Sequence, residues 1–379
     1  MITIKDKQDC CGCGACAQRC PQSCIKMIED KEGFLYPQIN ISACINCNLC
    51  NKVCPIINKN NPQNPIYSYA AINTNDEIRL QSSSGGLFSA FSEAILNQDG
   101  IVFGAKFNQN WEVIHGYTET IDNLYQFRSS KYVQSIIGNC YIQTEKFLKT
   151  GKIVLFSGTP CQISGLKHFL KKEYENLITV EILCYGVPSP LAWESYLRSI
   201  SNQKSSITDI NFRDKSTGWK KYSFSIKYDN KKYSQESHNN IYMHGFLKNL
   251  YIRPSCKSCP AKLGRSGSDL SIGDCWGIQN IMPELDDDKG INIVLINTPK
   301  GKEFYKSLSV KSYSIDYNLI TQYNGGFNNL IQFHPKREQF FNKIRKGKDF
   351  IKVIENVTKT SIIQKVKNKI IALFNKIYY

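Results

Sequence analysis

Eight cysteines near the start of the chain stand at spacings that suit one kind of chemistry. Cys10, Cys13, Cys16 and Cys20, followed by Pro21, read C-x2-C-x2-C-x3-C-P, and Cys44, Cys47, Cys50 and Cys54, followed by Pro55, repeat the run. Such runs hold a pair of [4Fe–4S] clusters, the fourth cysteine of each run ligating the other run's cluster. One cluster is therefore expected on Cys10, Cys13, Cys16 and Cys54, the other on Cys44, Cys47, Cys50 and Cys20. A pair of zinc knuckles is the competing explanation, but zinc takes four ligands per ion, commonly as two C-x2-C pairs, and has no use for the x3-C-P ending. Cys11 and Cys24 fall off the pattern and are read as bystanders.

A dicluster module of this kind stores and passes single electrons without making or breaking bonds, so the rest of the chain must supply or receive them. Four more cysteines are candidates for a third cluster. In "GKIVLFSGTPCQISGLKHFLKK" a β-rich stretch runs into a turn and a helix, with Thr159 as N-cap, Pro160 first in the helix and Cys161 next. "NLITVEILCYGVPSPLAWESYL" repeats the plan, with Cys184 at a strand end, Ser189 as cap and Pro190 first in the helix. Both cysteines would stand at the carboxyl ends of neighbouring strands, where open α/β sheets bind ligands. Cys256 and Cys259 add a C-x2-C pair. Buried structural cysteine is the bland alternative for Cys161 and Cys184; Cys140 is read as core.

The elements that position these residues follow from pattern. "NKNNPQNPI", residues 58–66, is polar with two prolines and reads as a linker. Beyond it, "YSYAAI", "GIVFGAKF" and "EVIHGYTE" are expected strands, and "SGGLFSAFSEAILNQ" a helix capped by Ser84. Alternation of helix and strand predicts an α/β fold with α+β elements. Arg213, Asp214 and Lys215 in "FRDKSTGWK" either bind an anionic substrate or form a solvated turn. Five histidines, His115, His168, His238, His244 and His334, are scattered, and no catalytic residue is assigned.

The chain has 379 residues, 16 cysteines and a formal charge of +16. No apolar run reaches the roughly 18 residues of a spanning helix, and the N-terminus lacks the apolar stretch of a signal peptide. A cytoplasmic protein is expected, in which so many thiols mean metal or redox work rather than disulfides. Residues 331–379 hold twelve Lys and Arg against three acids. Ile362, Val366, Ile370, Leu373, Phe374 and Ile377 form a helical stripe among Lys365, Lys367, Lys369 and Lys376. That tail fits a helix lying on the inner face of the membrane as well as one docked on the protein's own body. The charge gathers in the tail and no nucleic-acid-binding module is present, so no nucleic-acid partner is expected.

"CCGCGAC", "QSSSGGLFSA", "SSKYVQS", "LFSGTPCQISGLKHFL", "CYGVPSPLAWESY", "FRDKSTGW", "RPSCKSCP" and "SDLSIGDCWGI" follow one another in the chain. Together they resemble the coenzyme F420 hydrogenase/dehydrogenase beta subunit family, in the form with a fused N-terminal two-[4Fe–4S] ferredoxin domain. The resemblance implies FAD beside a [4Fe–4S] cluster, with the flavin against Ser84, Gly85 and Gly86, Lys131 and Tyr132, and Ser157, Gly158 and Thr159. Glycines admit a phosphate or flavin edge, helix starts favour anions and a lysine stabilises a reduced flavin. No G-x-G-x-x-G follows any strand, so the flavin rests on the resemblance alone. Cys275 could replace one of the four later ligands, but it stands where the family more often has an aromatic residue.

The expected organisation is a bacterial-type dicluster ferredoxin domain at 1–57, a linker at 58–66, the N-terminal part of a larger mixed α/β flavin and iron–sulfur domain at 67–145, its C-terminal part at 146–340 and a basic helical tail at 341–379. The expected function is an iron–sulfur flavoprotein oxidoreductase, passing electrons between ferredoxin-type clusters and a two-electron substrate through FAD. A non-catalytic electron-transfer subunit docking to a partner enzyme is the alternative. Partners would be a redox protein or ferredoxin-type donor or acceptor, and a small-molecule substrate of unspecified identity.

Overall fold

The computed structural model describes residues 1–201, 206–229, 231–328 and 331–359. The stripe expected at 362–377 lies outside them. Among the described residues no helix is long and apolar enough to cross a membrane.

The N-terminal region is built from two copies of a small plan. Helix α1 (Ala15–Gln18) follows the first cysteine run, strands β1 (Ile25–Glu29) and β2 (Leu35–Ile39) form an antiparallel hairpin, and helix α2 (Leu49–Lys52) follows the second run. Gly12 and Gly14 have φ of 71° and 72°, and the matching Asn46 and Asn48 have 53° and 61°. Each run thus bends through the left-handed region twice. Glycine does so freely and asparagine is among the few side chains that tolerate it.

The larger region is a mixed sheet with helices on both faces. In chain order it contains β3 (Tyr67–Asn73), α3 (Asp76–Gln81), α4 (Leu87–Leu96), β4 (Ile101–Phe107), β5 (Val113–Thr118), α5 (Cys140–Lys149), β6 (Val154–Gly158), α6 (Pro160–Leu170), β7 (Leu177–Ile182) and α7 (Pro190–Ile200). An antiparallel sheet of β8 (Ile207–Asp214), β9 (Ser223–Tyr228) and β10 (Lys231–Glu236) comes next, then α8 (Ile241–Leu247), and the chain returns to the large sheet with β11 (Leu270–Asp274), β12 (Asn292–Ile296) and β13 (Val310–Ser314). The eight strands run β13-β3-β12-β11-β7-β6-β4-β5. β4, β6, β7 and β11 are parallel, and the remaining pairs on either side are antiparallel. The central strands are apolar along most of their length because both faces are covered.

Side-chain alternation divides the interior. Phe103, Val154, Phe156 and Leu177 meet Ile163, Leu166 and Phe169 of α6, while Val102, Leu155, Ile178 and Val180 meet Leu87, Phe91 and Ile95 of α4. The first core also takes in Cys11, Cys13, Ala15 and Val53, so the cysteine-rich region is packed onto α6. Gly165 makes the approach close: a Cβ there would lie 2.8 Å from Cys13 Cβ. Glu32 pairs with Arg337 at 2.5 Å, and Gln18 Oε1 accepts from the amides of Tyr141 and Ile142 at 3.0 and 3.2 Å.

Thr159 is the N-cap of α6, its amide donating to Gln162 Oε1 at 2.9 Å, and Ser189 Oγ accepts from Ala192 N at 3.1 Å to cap α7. Ser84 does not cap α4. The chain enters that helix through Gly86 at φ 85°, which leaves Ser84 two residues short, and its Oγ donates to Ile291 O at 2.6 Å. The "FRDK" segment is neither a solvated turn nor a free anion site. Arg213 is buried in a two-pronged ion pair with Asp274 (2.7 and 3.0 Å), and Lys215 Nζ donates to the carbonyls of Arg79, Ser84 and Lys289. These cations answer internal acceptors that the strand pattern of "FRDK" does not reveal.

Candidate functional site

All sixteen cysteines are free thiols. In the first set Cys16 lies beside Cys10 and Cys54; burial first, then those two neighbours, push its thiol up to about 12. Cys13, Cys16, Cys50 and Cys54 are buried, Cys10, Cys20 and Cys44 partly so, and Cys47 is exposed. The second run therefore reaches the surface at Cys47, while Cys13 of the first packs against the core beneath the sheet. Cys24, read as a bystander, sits with its Sγ 3.3 Å from that of Cys20.

Cys161 is the second residue of α6 and Cys184 lies two residues past β7, next to β6 in the sheet. The segment after Cys184 is held against the one before Cys256 by a Pro188–Ile252 bridge, with Arg253 N donating to Val187 O at 2.9 Å. Cys161, Cys184, Cys256 and Cys259 accordingly line one small cavity. Burial raises the Cys256 thiol to about 12 and holds Cys184 well above the ordinary thiol range, with Cys256, Cys161 and Cys259 adding to the effect on Cys184. Cys11 lines the same cavity and shares a core with Cys13, against which Cys161 also packs. Cys275 is instead fully buried among Trp219, Ile278 and Ile293, and Cys140 among Tyr141 and Leu148, so neither joins a group.

Among the described residues no three His, Cys, Asp or Glu side chains converge on a point that would hold a single ion. A four-iron cubane holds its thiolates around a body of several atoms, and a donor set made only of soft thiols fits such a cluster.

A pocket of about 260 Å³ opens beside the four-cysteine cavity, sharing Cys184, Tyr185, Gly186 and Val187 with it. It falls just below the ~300–1,000 Å³ usual for small-molecule sites. Ser84, Gly86, Lys131, Tyr132, Ser157, Gly158 and Thr159 all line it. Gly85 does not: a Cβ there would lie 2.5 Å from Ala71 O and 2.7 Å from Asn292 N, so its small size serves packing against β3 and β12. Lys131 Nζ donates to Arg128 O and Ser129 O at 2.8 and 3.2 Å, and burial lowers its pKa to about 7. Arg128 also lines the pocket, whereas Asp274, an acid in its wall, is already paired with Arg213 and accepts from Trp219 Nε1 at 2.9 Å. The pocket therefore presents cations and hydroxyls around an apolar floor, a composition that fits a flavin with an anionic tail.

His115 is the pocket residue that spacing alone did not single out. Its Nδ1 pairs with Ser135 Oγ at 2.9 Å and its Nε2 with Ser157 O at 3.0 Å, and burial depresses its pKa to about 4. Its place on β5, inside the "EVIHGYTE" alternation, was the available signal. His168 lies on α6 and bonds Ser164 O of its own helix at 2.8 Å; His244 and His334 are outside the pocket, and His238 is a surface partner of Glu236.

Residues 151–316 match the family model for the C terminus of the coenzyme F420 hydrogenase/dehydrogenase beta subunit, and residues 9–57 match that for a 4Fe-4S dicluster domain. Residues 9–57 are thus a 4Fe-4S dicluster domain, and residues 151–316 are related to the C-terminal part of this beta subunit. The chain is an iron–sulfur electron-transfer protein. The matched beta-subunit region carries Cys161, Cys184, Cys256 and Cys259 and the β6, β7 and β11 walls of the pocket. A chain of the F420-reducing [NiFe] hydrogenase complex from Methanosarcina barkeri, solved as a xenon derivative, is similar at 15% identity over 78% of this chain and 91% of that one, with a TM-score of 0.46. None of the curated proteins compared with the chain matches it.

Proposed function

We propose that the protein is an iron–sulfur flavoprotein oxidoreductase in which electrons pass between the dicluster module, a third [4Fe–4S] cluster on Cys161, Cys184, Cys256 and Cys259, and a two-electron substrate bound with FAD in the adjoining pocket. One observation carries the reading: the three places are contiguous, since Cys11 lines the four-cysteine cavity and packs in one core with Cys13, and Cys184–Val187 line both the sulfur cavity and the pocket. The exposed Cys47 makes the second cluster the outer port, where a redox partner protein or ferredoxin-type donor or acceptor would dock.

FAD bound there would supply the conversion between single electrons and electron pairs. The chain's own residues would orient it. Arg128 and Lys131 would meet its anionic part, the α4 start at Gly86 and the Ser157–Thr159 turn would offer amides and hydroxyls, and Tyr132 and Phe88 would cover apolar surface. His115, neutral above about pH 4, would keep the wall uncharged behind Ser157.

The same proposal assigns residues 1–57 to the ferredoxin domain, 58–66 to a linker, 67–340 to the flavin and iron–sulfur domain and 341–379 to a basic tail. It places the protein in the cytoplasm, with the tail on the membrane's inner face or on the protein itself. The "beta subunit" of the family description supports a partner within a larger complex.

Anaerobic purification with iron, sulfide and flavin quantified per chain tests the reading. About twelve irons and one FAD are expected for three cubanes and a flavin. About eight irons without flavin would overturn it in favour of a non-catalytic electron-transfer subunit.

A further inference from the structure

Arg253 is 1% exposed and immediately precedes the Pro254–Ser258 turn that carries Cys256. Its Nε donates to Cys10 O at 2.9 Å, Nη1 to Gln134 Oε1 at 2.8 Å and Nη2 to Leu35 O at 2.9 Å, and Nη2 also lies 3.8 Å from Cys10 Sγ. The guanidinium rests on Tyr36, 4.5 Å from the ring centroid, and near Phe34 at 5.3 Å. Gly12 is pressed against it, for a Cβ there would fall 2.7 Å from Nη1. All of its hydrogen-bond partners are neutral oxygens or the Cys10 sulfur, and among the described residues it forms no ion pair with a carboxylate.

A charged group is buried only where an opposite charge or a metal site offsets the lost hydration. The other two buried arginines among the described residues each have an acid, Asp287 for Arg79 and Asp274 for Arg213. Arg253 lacks such an acid, and what surrounds it is sulfur. Cys10 stands on one side. On the other, Arg253 lines the small cavity formed by Cys161, Cys184, Cys256 and Cys259.

We infer that Arg253 is the shared counter-cation of two neighbouring iron–sulfur clusters, the one ligated at Cys10 and the one at Cys161, Cys184, Cys256 and Cys259, and that it raises their reduction potentials. The inference rests on the ligand sets proposed above. Reduction adds one negative charge to a cluster, so a fixed cation stabilises the reduced form more than the oxidised. An N–H directed at a ligand sulfur acts in the same direction. Because the fork is held by three oxygens and two aromatic faces, little rearrangement accompanies the change of charge. Arg253 is thus a positioning residue that tunes both clusters, distinct from a mere clamp between the two regions.

The test is an anaerobic redox titration of the full-length, cluster-loaded protein, followed by electron paramagnetic resonance, with iron counted in each variant. Arg253→Gln is expected to lower the midpoint of both clusters by about a tenfold change in the one-electron equilibrium, ~59 mV. Gln134→Glu leaves the guanidinium in place and sets an anion on Nη1, and is expected to shift the midpoints the same way. Arg253→Lys keeps the charge and should retain most of the potential. If Arg253→Gln loses iron, Gln134→Glu decides alone. Unmoved midpoints in variants that keep their iron overturn the inference while leaving the clusters standing, and a lysine variant that falls as far as the glutamine variant reduces Arg253 to a clamp and overturns it also. A wild type with eight irons removes the shared role, and one with no iron overturns both this inference and the ligand assignment.

Discussion

In the first 57 residues, eight cysteines sit in or beside two four-residue helices, with one hairpin of two five-residue strands between the runs. Just past β6 and β7, Cys161 and Cys184 follow strands whose side chains are almost all buried between two cores. The first arrangement has the size and composition of a fold that depends on its metal, since a module of ~60 residues buries too little apolar surface for ample stability. The second is held by a sheet that does not need a ligand. The contrast predicts a different order of events: in one, binding iron and folding are expected to be one process; in the other, folding is expected to come first and present sulfurs to whatever binds.

The largest effect expected from that contrast is regional. Stripping iron and sulfide from the whole protein should abolish hydrogen-exchange protection over residues 1–57 while β6, β7 and β11 stay protected, which exchange followed by mass spectrometry reads directly. Collapse of the sheet together with the module would break the comparison, and so would a module that stays protected without iron.

A smaller effect belongs to the sheet alone. His115 is depressed from an ordinary 6.5 to about 4 by burial. Below pH 6.5 the unfolded chain takes up a proton that the folded chain refuses until about pH 4. Stability should therefore fall as pH drops through that window and lose nothing more from this group below it. The change amounts to about 3 kcal/mol. His115→Asn should remove most of that pH dependence relative to wild type, measured by denaturant midpoints at pH 4 and pH 7. If the pocket wall is preformed, the difference between wild type and variant is the same with and without iron. A difference present only in loaded protein would tie the sheet's interior to the clusters and blur the two regions into one.

The same division explains what was legible from residues. The two cysteine runs carry their whole meaning in local spacing, and the strand–turn–helix units at Thr159–Pro160 and Ser189–Pro190 are marked by caps and prolines within a few positions. Contacts between distant elements carry no such mark. Ser84 looked like a cap because a serine before an apolar helical run usually is one, yet the turn at Gly86 spends that position on a bond to Ile291. Arg213 and Lys215 looked free for an anionic substrate or for solvent because their buried acceptors, Asp274 and the carbonyls of Arg79, Ser84 and Lys289, are 61 to 136 positions away in the chain. Cys11 looked idle because its neighbour Cys161 arrives only when α6 packs onto the module. Gly85 was grouped with the flavin contacts, whereas what forbids a side chain there is the backbone of β3 and β12.

The smallest effect lies inside the module, between its two halves. Gly14 and Asn48 start α1 and α2 at φ of 72° and 61°, one position used by two residue types. A β-branched residue in that conformation is strained by roughly 1–2 kcal/mol, and asparagine is among the few side chains that visit it routinely. Asn48→Gly should hold iron and melt close to wild type, within about 0.5 kcal/mol, because relief of backbone strain is offset by the freedom glycine gains when unfolded. Asn48→Val should cost the full strain and lower the melting temperature of the loaded module without changing its ligands. Equal behaviour of the two variants would mean that the cluster, and not the backbone, dictates the bend, so that even the turns of this module are imposed by the metal they surround.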